Sequence, residues 1–233
     1  MKRRGIFIAL LCAAALPAFA QQAGTFTDSR DGHLYRWVRI GDQVWMAENL
    51  AYLPRVDRVS DAQFEQERYW VYGYFGSDVA EARQTDAYKT YGVIYNWQGA
   101  RTACPAGWHM PTEEEWQQLE VTAGMDPADA PRRGWRASGD VGRKLKARTG
   151  WKENGGDDSF GFAALPGGMR GYADFESVPY CAYFWTASPT NGDNGWRRSL
   201  IFDESSIEKN EDRRYVGSSV RCVKDESTAE KSE

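Results

Sequence analysis

The chain is poor in the residues that carry metal and nucleophilic chemistry. It has two histidines, His33 and His109, far apart and without the short spacing that places two imidazoles on one metal ion, so no histidine metal centre is expected. There is no Gly-x-Ser-x-Gly elbow. Gly167-Gly168 lacks the Lys-Ser/Thr that a phosphate loop needs, and reads as a tight turn. Beyond the N-terminus no stretch is apolar over the roughly 20 residues that cross a bilayer. No internal repeat is present. Cysteine is scarce as well: Cys12, Cys104, Cys181 and Cys222.

The N-terminus reads as a secretory signal over residues 1–20. Lys2, Arg3 and Arg4 form a basic start, Ile6 to Leu16 an apolar core, and Ala18-Phe19-Ala20 a cleavage site, so a mature chain begins at Gln21. Cys12 follows Leu11, not the small residue of a bacterial lipidation site, and leaves with the signal. The chain is therefore expected in the periplasm, at the cell surface or outside the cell. Loss of three positive charges takes the net charge from −4 to −7, which argues against nucleic acid or an anionic membrane as partner. Cys104, Cys181 and Cys222 remain in an oxidising compartment, where one pair and one leftover thiol are expected; spacing leaves three pairings open.

What the chain does have is aromatic side chains, at 14% with ten tryptophans, beside a hydrophobic fraction of 42%. Such a composition can build a core and still present rings to a ligand. Residues 21–27 read as a flexible start and 226–233 as a disordered charged tail. Leu34 to Ile40 and Gln43 to Met46, joined by Gly41-Asp42, read as a hairpin with a type II′ turn. Residues 54–68 read as loop or short helix and 69–75, with Tyr69, Trp70, Tyr72, Tyr74 and Phe75, as a strand. Trp97, Ala100 and Cys104 share one face of a helix over 95–104 that Pro105 stops. Thr112 and Glu115 form a capping box for a helix over 113–122.

Residues 124–159 are turn-rich, and their basic run from Arg143 to Arg148 reads as a solvated face. Strands are expected over 160–165, at Tyr183 to Trp185, through the alternating stretch from Trp196, and over 215–223, with Asn191 to Gly195 as a loop. Helices early and strands late make an α+β domain over residues 28–225.

Several blocks, in order, carry a resemblance. They are Gly41-Asp42-Gln43-Val44-Trp45-Met46-Ala47-Glu48-Asn49-Leu50, Tyr91-Gly92-Val93-Ile94-Tyr95-Asn96-Trp97, and Ala103-Cys104-Pro105-Ala106-Gly107-Trp108-His109-Met110-Pro111-Thr112 with Glu115-Trp116. Gly161 to Gly168, Tyr183 to Ser188 and Ser219 to Lys224 complete the set. Together they closely resemble the Fibrobacter succinogenes major paralogous domain. The resemblance implies a C-type lectin-like fold, shared with formylglycine-generating enzymes: two helices against a twisted, mainly antiparallel sheet, with long loops on one side. It also implies that Cys104 pairs with Cys222, and both fall on apolar faces. Many relatives carry a further cysteine pair before the Tyr-Gly block; residues 70–90 here have none. Cys181 is left over and expected to be buried and inert, with intermolecular pairing as the alternative.

The resemblance brings no activity. Formylglycine-type chemistry needs closely spaced cysteines near the C-terminus, and Cys181 and Cys222 are far apart. Asp157-Asp158, Asp203-Glu204 and Glu113 to Glu115 offer carboxylates for a hydrolase, but helix capping accounts for the last set. Asn191, Asp193 and Asn194 carry oxygens of the kind calcium takes, yet the Glu-Pro-Asn, Gln-Pro-Asp and Trp-Asn-Asp signatures are absent, so they read as turn formers and no cofactor is expected.

Trp45, Trp97, Trp108 and Trp116 are expected in the core. Trp135, Trp151, Trp185 and Trp196, with Arg170 and the Asn191, Asp193, Asn194 loop, are the candidates for ligand contact. The expectation is a non-catalytic binding or adhesion module recognising glycan or an envelope protein. The alternatives are an assembly component acting by protein–protein contacts and, more remotely, a hydrolase. The sequence sets no oligomeric state.

Overall fold

The computed structural model describes residues 21–61, 65–153 and 155–226. The expected signal at 1–20 and the end of the tail, 227–233, lie outside these residues. In chain order the elements open with β1 (Ala23–Thr27), β2 (Leu34–Ile40), β3 (Gln43–Met46) and β4 (Tyr69–Trp70). Then come α1 (Val79–Gln84), α2 (Asp86–Tyr91), β5 (Ile94–Tyr95), α3 (Trp97–Ala103), β6 (Trp108–His109) and α4 (Glu113–Thr122). β7 (Gly134–Arg136), α5 (Val141–Leu145), β8 (Met169–Arg170) and β9 (Phe175–Glu176) follow. The last are β10 (Cys181–Pro189), β11 (Asn194–Ile201), β12 (Ile207–Arg213) and β13 (Val223–Lys224). One sheet runs β1-β2-β3-β13-β6 and a second β10-β11-β12-β7; β4-β5 and β8-β9 are two-stranded ribbons. All these pairings are antiparallel, so the domain is α+β.

The β2–β3 hairpin forms as its alternation requires. Gly41 has φ 60° and Asp42 does not have positive φ, which fits a type II′ turn. The capping box is present: Thr112 accepts from the Glu115 amide, and Glu115 accepts from the Thr112 amide at 2.7 Å. The helix expected over 95–104 is shorter, because Asn96 caps it and Tyr95 belongs to β5.

Several expectations are corrected. Residues 21–27 are not loose: β1 pairs with β2 from Ala23↔Val38 to Thr27↔Leu34, and Phe26 stacks on Trp108 at 4.5 Å. Ring burial outweighs the polar look of the segment. Only Tyr69–Trp70 of the stretch 69–75 is strand. α1 and α2, capped by Asp78 and Thr85, are too short for a periodic pattern to reveal. Residues 160–165 are not a strand: Gly161 and Ala163 have positive φ, and only Ala164 bridges, to Lys146. The stretch 215–223 is not one strand either. Gly217, Ser218 and Ser219 each bridge a different partner, namely Arg170, Tyr95 and Phe184. β12 went unread because its sequence, IEKNEDR, is so polar.

The basic run at 143–148 is not uniformly solvated. Lys146 is buried, its ammonium donating to the carbonyls of Ile201, Phe202 and Glu204 at 2.9 Å each. Burial lowers its pKa from the ordinary value.

Two apolar clusters fill the interior. One holds Trp97, Tyr95, Trp185, Val216, Val220 and Cys222. The other holds Trp45, Trp116, Leu119, Phe162, Phe184 and Leu200. The second sheet contributes to both, since Phe184 and Trp185 are neighbours in β10 and point to opposite faces. Cys104 and Cys222 form a disulfide across a sequence separation of 118, tying the end of α3 to the approach to β13. Cys181 is a free, buried thiol.

Candidate functional site

Among the described residues the most exposed rings, Phe75 and Tyr172, stand on turns. Arg170 in β8 is fully buried. Its Nε donates to the Val59 carbonyl at 2.9 Å, its Nη1 to the Tyr215 carbonyl at 3.2 Å, and its Nη2 also to Val59. The guanidinium lies 5.0 Å from the Trp70 ring centroid. Burial lowers its pKa from the usual value. The backbone exchanges two hydrogen bonds with Gly217, at 3.1 and 2.7 Å. A Cβ on Gly217 would stand 2.4 Å from Ile94 Cγ2, so only glycine permits this approach.

The β8–β9 turn closes with the Gly171 amide donating to the Asp174 carbonyl at 2.8 Å. Tyr172 at its tip is 67% exposed and packs edge-on to Tyr215 at 5.7 Å. Phe175, paired opposite Arg170, meets Tyr72 at 5.4 Å and Phe75 at 5.7 Å. Phe75 is 70% exposed. Beside it the Tyr74 hydroxyl donates to Glu81 at 3.0 Å and accepts from the Asp78 amide at 3.3 Å. Two short turns thus present a group of mutually packed rings.

The loop between β10 and β11 is tied to Arg214, the residue before Tyr215. The Arg214 amide donates to the Asp193 carbonyl at 2.9 Å, its Nε donates to the Asn194 carbonyl at 2.8 Å, and its guanidinium stacks on Trp97 at 4.3 Å. Asn191 and Asp193 are exposed at the loop. Asn194 is half-buried and its amide donates to Glu211 at 3.2 Å, so it serves the turn.

The tryptophans expected at a ligand fare unequally. Trp185 is 0% exposed and donates to the Tyr95 carbonyl at 2.8 Å; Trp151 is buried and donates to the Ala164 carbonyl at 3.1 Å. These two and Arg170 are interior residues, and the expectation that they meet a ligand is corrected: their polar atoms are spent on backbone groups. Trp196 is half-buried, with Lys209 at 4.9 Å and Arg133 at 5.9 Å from its ring. Trp135 is 45% exposed on β7, the terminal strand of its sheet, away from the turns of the ring group. The ring group itself was not singled out for binding in the sequence. Its trace there was the cluster of Tyr72, Tyr74 and Phe75, but nothing in a one-dimensional pattern separates an exposed ring from a buried one.

Two ionic clusters lie elsewhere. His109 is held between Glu115 and Asp225, Nε2 to Oε1 at 2.7 Å and Nδ1 to Oδ1 at 2.6 Å. The bond to Glu115, against partial burial and with help from Asp225, raises its pKa to about 9. A polar groove of about 410 Å³ lies beside it, lined by Arg39, Gln43, Glu115, Lys224 and Asp225 among others. In the interior Arg198 meets Glu113 and Glu120, each at 2.6 Å; Arg136 meets Glu120 at 2.6 Å and Lys209 meets Glu113 at 2.8 Å. Burial works against the Glu113 carboxylate, yet Arg198 and Lys209 keep its pKa below the ordinary value. Of the other carboxylates considered, Asp157 pairs with Arg143 and Asp158 accepts from the Ala163 amide at 2.7 Å. Among the described residues no group of three or more His, Cys, Asp or Glu side chains is placed to hold a metal ion, and no helix is long and apolar enough to cross a membrane.

A family model, that of the Fibrobacter succinogenes major domain, matches residues 38–224. No curated protein and no solved structure matches the chain. The chain belongs to the Fibrobacter succinogenes major domain family.

Proposed function

We propose that this member of the Fibrobacter succinogenes major domain family is a non-catalytic binding or adhesion module of the cell envelope, exported and recognising glycan or protein through its loop face. The observation that carries this is the pair of highly exposed rings, Phe75 and Tyr172: Tyr172 stands on the turn that follows buried Arg170, and Phe75 packs on Phe175 of the same ribbon. Large rings left in water are costly to leave unpartnered, and rigid exposed aromatics are the usual anchors of recognition. The architecture is read as C-type lectin-like: α3 and α4 lie against β10 of an antiparallel sheet, and a disulfide joins α3 to the last strand region. A disulfide suits an oxidising compartment. Calcium has no part in this reading.

Trp135 on the terminal strand β7 favours a second reading, in which the free strand edge and its ring serve assembly with another protein.

The test uses the chain from Gln21 onward, with and without the Phe75→Ala and Tyr172→Ala pair. Retention is measured on a panel of envelope and plant polysaccharides and on purified envelope proteins, in calcium and in chelator. The reading expects one ligand to be retained by the parent and lost by the double variant, with melting temperature unchanged. Retention that ignores both substitutions, or no retention at all, overturns it.

A further inference from the structure

The two turns that carry Phe75 and Tyr172 have charges of one sign. Residues 72–81, which carry Tyr72 and Phe75, include Asp78 and Glu81 and no lysine or arginine. Residues 171–180, which carry Tyr172 and Phe175, include Asp174 and Glu176 and likewise no basic residue. Asp78, Glu81, Asp174 and Glu176 are exposed. Asp174 sits between Tyr172 and Phe175, and its carboxylate accepts from the Phe175 amide at 2.7 Å. On the Tyr215 side Asp212 is neutralised by Arg197 at 2.9 Å, and exposed Arg213 adds one positive charge.

We infer that the partner of this face is a basic polypeptide segment, with lysine or arginine side chains laid over the rings of Phe75, Phe175 and Tyr172 and paired with the surrounding carboxylates. This rests on the reading of the loop face as a binding surface and adds the chemistry of what it takes.

The argument is one of complementarity. A ring face attracts a cation, and a carboxylate beside the ring strengthens the same attraction. The protein itself uses the first interaction repeatedly, with Arg30 over Tyr52 at 3.8 Å and Arg197 over Tyr183 at 4.4 Å. A neutral glycan gains from the rings but nothing from the net charge, and an anionic polysaccharide is repelled by it. A basic segment uses both features, and the overall negative charge of the chain speeds its approach.

The test measures affinity of the chain from Gln21 onward for a lysine decapeptide, a glutamate decapeptide and a neutral polysaccharide panel, at low and high salt. The proposal expects lysine decapeptide binding that weakens about tenfold as salt is raised from low to high. It expects a loss of about tenfold in Phe75→Ala/Tyr172→Ala, which leaves the charge untouched. It also expects a clear loss in Asp174→Asn/Glu176→Gln, which leaves the rings. Lysine decapeptide binding that survives the ring substitutions is attraction to net charge alone and overturns the proposal. Ring-dependent retention of a neutral polysaccharide without peptide binding overturns the basic partner but leaves the loop face as the binding surface. Binding to none of the probes overturns the proposal. The binding module itself then falls only if the envelope proteins are also not retained.

Discussion

Arg170 and Tyr215 are joined by a guanidinium–carbonyl hydrogen bond of 3.2 Å, and the same arginine reaches Val59 from the other side. One buried side chain thus holds the base of a surface whose rings are in water. Replacing Arg170 with Met removes the donors and leaves the Val59 and Tyr215 carbonyls without them, at about 1–3 kcal/mol for each unsatisfied group. Chemical denaturation should show that loss, and ligand retention should fall with it; a stable Arg170→Met variant would mean that the post is dispensable.

Glu120 lies between Arg136 and Arg198 with no solvent contact. Truncation to Ala leaves buried Arg136 without its carboxylate and Arg198 with Glu113 alone. The expected cost is about 3–5 kcal/mol, the range for breaking a buried pair from one side. Urea midpoints for Glu120→Ala, Glu113→Ala and the double variant should be non-additive, because both carboxylates serve Arg198.

The disulfide closes a span of 118 residues. In the chain-entropy picture, a loop of that length is worth about 4–5 kcal/mol. Cys104→Ala/Cys222→Ala, or reduction of the parent, should lower the melting temperature strongly in calorimetry. A shift of only a degree or two would assign the stability to the apolar clusters.

His109 gives stability a dependence on pH in the alkaline range. Its folded pKa, about 9, is above the ordinary 6.5, so its contribution is full below pH 6.5 and disappears as pH rises through 9. Glu115 is lowered, against burial, by His109 and the Thr112 amide, so its share is present above its ordinary pKa of 4.5 and lost as the solution is acidified below that. The imidazole is partly exposed, which limits the effect to about 1 kcal/mol. Melting curves of the parent and His109→Gln should converge between pH 6.5 and 9.5; a gap of constant size would remove His109 from the account.

Cys181 is buried, and burial raises its thiol pKa against a hydrogen bond from the Tyr183 side chain. A thiol reagent at neutral pH should therefore label the native chain slowly and the denatured chain rapidly. Fast native labelling would place this sulfur at the surface.

The elements read correctly from sequence share a short-range cause. The β2–β3 hairpin follows from alternation and a glycine at the turn, and α4 follows from Thr112 and Glu115 at capping spacing. The misread elements have causes outside their own span. β1 is ordered by Trp108, far along the chain, and the stretch 217–219 is divided among β8, β5 and β10 one residue at a time. β12 carries Lys209 on its buried side because Glu113 is there to receive it.

The sequence by itself determined the family, the α+β class, the core tryptophans Trp45, Trp97, Trp108 and Trp116, and, through the family resemblance, the cysteine pair. Those are written in residue type and spacing. Only the tertiary structure decided which aromatic rings meet water. Trp185 and Phe75 are alike as large rings in a sequence; one is fully buried and bonded to the Tyr95 carbonyl, and the other stands on a turn. Exposure is a property of what packs from elsewhere in the chain, so burial of Arg170 and Trp151 and the solvent-facing position of Phe75 and Tyr172 became legible when distant segments were brought together.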